Sequence, residues 1–134
     1  MALHWYSVVL DSYDVRAQAR WWAETLDWAI VYESADEAGI APRWVDAEAR
    51  VPAQDWDRLP QGLVFVTVPE DKQVKNRLHL ELAPHPSQDR DAHIAELIAR
   101  GARRVDVGQS PQASWTVLAD PEGNEFCVLS ARDR

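Results

Sequence analysis

Cysteine is almost missing from this sequence: Cys127 is the single one in 134 residues, so no internal disulfide can form. Long apolar runs are missing too. Runs such as Leu63 to Val66 fall far short of the roughly 20 residues that a helix needs to span a bilayer. The opening MALHWYSVVLDSYD has no basic stretch followed by an apolar one, so no secretory signal is evident and the cytoplasm is the expected location. Basic residues are in deficit, 14 against 22 acidic, and the formal charge of −8 opposes the phosphate neutralisation that nucleic-acid binding requires.

What is present suits an ordinary soluble domain. The hydrophobic fraction of 46% and charged fraction of 27% set aside disordered and collagen-like classes, and at this length a core needs no covalent staple. Seven tryptophans are the one unusual count; indole rings supply broad flat surfaces for cores, interfaces or ligand stacking.

Residues 3 to 10 (LHWYSVVL) read as a strand, and Asp14 as the N-cap of a helix whose apolar stripe is Val15, Ala19, Trp22 and Leu26. Short strands are expected at 28 to 33 and at about 40 to 45, the latter made irregular by Pro42. Residues 46 to 61 carry two prolines and no period, so they read as a loop, followed by a strand at 63 to 68. The second half opens with RLHLEL, 77 to 82, in which three leucines alternate with Arg77, His79 and Glu81. Strict alternation places the leucines on one face of a strand and the ionisable groups on the other. A helix from about Gln88 to Arg100 follows, with Ile94, Leu97 and Ile98 as its stripe and Gly101 just past its end. Strands at 103 to 107, 114 to 119 and 125 to 129 complete the chain, the last two joined by the turn DPEGN.

Both halves thus run strand, helix, three strands. Placing Ser7 on His79 sets Trp22 on Ile94 and Leu26 on Ile98, and sets Tyr6, Val8 and Leu10 on Leu78, Leu80 and Leu82. The last strands align with Val66 on Cys127.

This doubled order, together with WTVLADPEGNEFCVL at 115 to 129, resembles the vicinal oxygen chelate superfamily, and KNRLHLEL with GARRVDVG resembles its glyoxalase-like subgroup. The resemblance implies an α+β fold in one domain over 1–134. Two βαβββ modules, at about 3–68 and 76–130, would form a curled mixed sheet with a concave cavity. It also implies a homodimer. Metal-dependent members hold their ion through the first and last strand of each module, positions that fall on Ser7, Val66, His79 and Cys127. Val66 has no donor and Ser7 is a poor ligand, so two positions of four fall short of the ligand counts of stable sites. No cofactor is therefore expected, unless Glu81 and Glu125 complete an unorthodox site for a divalent metal.

His79 suits a general base, with Glu81 orienting it; the plainer alternative is a hydrogen-bonded relic of a metal site. Cys127 reads better as a small buried hydrophobe than as a nucleophile. Trp5, beside Ser7 and Val9, and Trp115 are candidates for stacking on a ligand, with core filling as the alternative, while Arg77 would hold an anionic or carbonyl group. Trp44 and Trp56 are placed to form a lid, and Trp21, at the edge of its helix stripe, to serve a subunit contact. His4, His85 and His93 read as exposed. The reading reached is a small-ligand binding protein lined by Trp5, Ser7, Val66, Arg77, His79, Glu81, Cys127 and Trp115. The alternatives are a metal-dependent or His79-based lyase, isomerase or dioxygenase, or a partner-binding domain.

Overall fold

The computed structural model describes residues 2–134, which form two compact units, one ending at Asp71 and the other running from Lys72 to Arg134. The first contains β1 (Ser7–Ser12), α1 (Val15–Leu26), β2 (Trp28–Glu33), β3 (Glu37–Pro42), a short 3-10 helix at Ala53–Arg58 and β4 (Gly62–Thr67). The second contains β5 (Glu81–Leu82), α2 (Arg90–Ala99), β6 (Arg103–Arg104), β7 (Thr116–Ala119) and β8 (Glu125–Val128). Each unit builds one four-stranded mixed sheet, ordered β1-β4-β3-β2 and β5-β8-β7-β6. In each, the first strand runs parallel to the last and the other pairs are antiparallel. The α+β class and the doubled βαβββ order are as the sequence implied. Among the described residues no helix is long and apolar enough to cross a membrane.

Helix α1 starts where Asp14 accepts a hydrogen bond from the Ala17 amide at 3.1 Å, satisfying a donor that the helix itself cannot. It ends at Asp27, whose left-handed backbone (φ 53°) turns its amide back onto the Ala23 and Glu24 carbonyls. Val15, Ala19 and Trp22 are buried as expected, but the buried face is wider, taking in Gln18, Trp21 and Ala23. Trp21 is therefore core, its ring edge-on to Trp22 with centroids 5.1 Å apart, and not a surface residue kept for a subunit contact. The helix packs on β2, β3 and β4 of its own sheet, where Ile40, Leu63 and Phe65 complete the core.

Several boundaries differ from the sequence reading, each for a reason of hydrogen bonding. The first strand begins at Ser7 and not at residue 3, because its partner β4 begins at Gly62, whose amide donates to the Tyr6 carbonyl. The strand expected at 40 to 45 lies at Glu37–Pro42: proline has no amide to continue the ladder, and Arg43 and Trp44 fall beyond it. RLHLEL is the largest correction. Only Glu81–Leu82 forms regular strand, and Leu78 is 87% exposed and packs on no helix. The chain before it is held another way, because the Asn76 amide donates to the Glu125 carboxylate and residues 77 and 78 then bend. Ladder bonding starts where the Cys127 amide donates to the Leu80 carbonyl.

Helix α2 begins later than expected, capped by Asp89. Ile94 and Leu97 are buried, whereas Ile98 is 38% exposed and leaves the stripe. Setting Asp14 on Asp89 places Ala19 on Ile94 and Trp22 on Leu97, all buried, and replaces the helix register read from the sequence. At the start of α2 the Arg90 guanidinium donates to the Leu129 and Val128 carbonyls at 2.8 and 2.7 Å and to the Thr116 hydroxyl at 2.9 Å, tying the helix to the ends of β7 and β8. Gly101 follows α2 with φ 119°, a backbone that glycine adopts without strain.

Candidate functional site

In the second unit the parallel ladder sets Glu81 directly across from Cys127. The matching pair in the first unit is Asp11 across from Val66. The alignment of Ser7 with His79 is thus two residues out, and the pairing matches Asp11 with Glu81 instead. Cys127 is 6% exposed. Burial pushes its thiol above the ordinary value and the Glu81 charge adds to this, while Lys75 pulls the other way. The group is a thiol at neutral pH, as the small-hydrophobe reading held. Arg77 and His79 lie outside the strand, exposed, and no hydrogen bond or ion pair holds either among the described residues. Trp115 sits just before β7, also exposed.

Glu125 is not a free neighbour of this group. Lys72 Nζ lies 2.9 Å from one carboxylate oxygen, the Asn76 amide 3.0 Å from the other, and Asn76 Nδ2 donates to the Glu125 carbonyl at 3.4 Å. Burial alone would raise this carboxyl. The Asn76 amide and Lys72 outweigh it and hold the group below its ordinary value.

In the first unit Ser7, on the edge strand β1, and Val66, on the neighbouring inner strand β4, are both half-buried. Trp5 precedes β1, 65% exposed, its indole N–H turned onto the Ser7 carbonyl at 3.2 Å. Next to it Tyr6 and Trp56 stack, with centroids 6.0 Å apart and planes 15° from parallel. His4 stands edge-on to Trp56 at 5.4 Å, and its Nε2 is buried without a hydrogen-bond partner, so it is not the exposed histidine expected. The 3-10 helix thus brings Trp56 back onto the N-terminal segment, whereas Trp44 remains exposed. Tyr6 lies before the paired strand and keeps most of its surface in solvent. On the same sheet Tyr32 lies over Gly39, where a Cβ would come within 2.8 Å of its Cζ, and its hydroxyl donates to Glu37 at 3.2 Å. Burial raises the Tyr32 phenol above its ordinary value, followed by the Glu37 charge and hydrogen bond and the nearby Tyr6.

The residues present do not fit the superfamily's metal. Val66 offers no donor, and Glu125 is engaged by Lys72 and Asn76. Among the described residues no three His, Cys, Asp or Glu side chains are grouped to hold an ion. Sequence reasoning passed over Tyr6, Lys72 and Asn76. The pair of lysines in EDKQVKN was the available signal.

The turn that carried the sequence resemblance has a structural reason. Asp120 is fully buried; its carboxylate accepts from the Glu122 amide at 3.0 Å, the Asn124 amide at 2.9 Å and the Asn124 side chain. Gly123 takes φ 93° between them. Comparisons with known proteins agree with that turn and with the doubled sheets. No curated protein matches the sequence. Among solved structures, a glyoxalase/bleomycin resistance protein/dioxygenase family enzyme from Burkholderia phytofirmans is 15% identical, with a TM-score of 0.68, covering 97% of this chain and 100% of its own. The bleomycin-binding protein of Streptomyces verticillus, solved with copper(II)-bleomycin, is 19% identical, with a TM-score of 0.54 and coverage of 98% and 99%. An antibiotic-binding protein from a Streptomyces species is 19% identical, with a TM-score of 0.61 and the same coverage. At such identities these likenesses speak to fold. The family model for the glyoxalase-like domain matches residues 7–129, nearly the whole chain, and on that match the protein belongs to the glyoxalase-like domain family of the vicinal oxygen chelate superfamily.

Proposed function

We propose that the protein binds a small, partly aromatic ligand carrying a carbonyl or anionic group, and does so without the superfamily's metal. The observation that carries this reading is the exposed aromatic surface of the first unit, where Tyr6 stacks on Trp56 beside Trp5. Aromatic rings left to solvent in a group are uncommon in a soluble domain unless something covers them. Two relatives of the same fold bind antibiotics, bleomycin in one case. A cytoplasmic homodimer goes with this reading.

Titration of tryptophan fluorescence with bleomycin and with a panel of planar aromatic acids tests it. Saturable quenching weakened by Trp5→Ala and by Tyr6→Ala is expected. Quenching that neither substitution alters removes those residues from the site. Stoichiometric metal in untagged protein, lost in His79→Ala, would overturn the metal-free reading in favour of a metal-dependent enzyme.

A further inference from the structure

The second unit carries a cleft of about 360 Å³ that the reading above does not use. Its charged lining is Lys72, Lys75, Arg103, Glu122 and Glu125, around the bare backbone of Gly123. A chain of net charge −8 places three cations here against two carboxylates. Glu125 is already neutralised by Lys72 at 2.9 Å, with both its oxygens engaged. Arg103, Lys75 and Glu122 then leave one positive charge over.

Arg103 is the free member. It is exposed, and no ion pair or hydrogen bond holds its guanidinium among the described residues. It nevertheless lines the cleft beside the glycine: a Cβ on Gly123 would sit 3.9 Å from Arg103 Nη2 and 4.0 Å from Lys72 Cδ. The two basic side chains therefore flank the glycine, and the space that its missing side chain leaves stays open between them. Val74, Val105 and Pro121 supply an apolar rim.

We propose that this cleft binds a small aliphatic carboxylate, its two oxygens received by the Arg103 fork and its short carbon chain by the valines and proline. A planar guanidinium matches a carboxylate with two parallel hydrogen bonds. A single surplus positive charge suits a monoanion. Because every lining residue belongs to the second unit, the proposal stands apart from the aromatic group of the first.

The test is a chemical-shift titration of the ¹⁵N-labelled full chain with isobutyrate, with isobutyramide as the neutral match and chloride at equal ionic strength as the salt control. Isobutyrate should shift the Gly123 amide and the Arg103 Nε resonance saturably, and isobutyramide should not. Arg103→Ala should weaken binding about tenfold or more, and Arg103→Lys, which keeps the charge without the fork, should fall between. Equal shifts with isobutyramide or chloride, or unchanged affinity in Arg103→Ala, would overturn the assignment. The fluorescence titration of the Trp5 region is independent of either result.

Discussion

Glu81 faces Cys127 directly across the β5–β8 ladder, and its negative charge reinforces burial in keeping the thiol protonated. Removing that charge makes the thiol easier to ionise. Glu81→Gln should therefore speed alkylation of Cys127 by iodoacetamide at fixed pH by a few-fold, since each pKa unit relieved is worth about tenfold in thiolate. An unchanged rate would mean that burial alone governs the group. The folded thiol's value is raised, so its contribution to stability is intact below the ordinary thiol value. It is lost as pH rises from there towards the folded one.

Glu125 has the opposite sign. Its folded value is lowered, so the stability it contributes is present above the ordinary carboxylate value and is lost as pH falls through the folded one. Glu125→Gln should cost about 1.5–3 kcal/mol at neutral pH, the range for hydrogen bonds to charged groups. The gap between the two proteins in urea unfolding should close in acid. A gap that persists at low pH would separate the effect from ionisation.

Asp120 organises the turn between β7 and β8 through three hydrogen bonds to a fully buried carboxylate. Asp120→Ala strands those donors and should cost about 3 kcal/mol, with Asp120→Asn costing less because one oxygen still accepts. A lower denaturation midpoint at constant slope checks this.

Gly39 gives room to the Tyr32 ring. Gly39→Ala should displace that ring, break its hydroxyl contact with Glu37 and cost about 1–3 kcal/mol as overpacking does. The Tyr32 phenol should then titrate closer to its ordinary value, followed by NMR. An undisturbed Tyr32 titration would mean that the backbone yields and the ring does not.

The sequence carried the doubled order, the Asp14 N-cap and the DPEGN turn, because each is local chemistry: a capping side chain, a glycine with positive φ, an apolar stripe. It misled wherever a partner decides. RLHLEL alternates as a strand should, but a strand exists only where a ladder receives it, and Asn76 pairs with a side chain just before the alternation begins. The placement of Ser7 on His79 failed for the same reason, since register is set by which amide meets which carbonyl. Contacts distant in sequence, the ion pair of Lys72 with Glu125 and the approach of Arg103 to Gly123, leave no periodic trace at all.

Arg90 gives the second unit a property that its short outer strands would not. Strands of two residues invite fraying, yet this one side chain closes on both remaining strands and on the helix start together. Neither the helix nor the hairpin can leave without releasing the other, so this half of the molecule should come apart in one step, like an arch whose keystone is drawn.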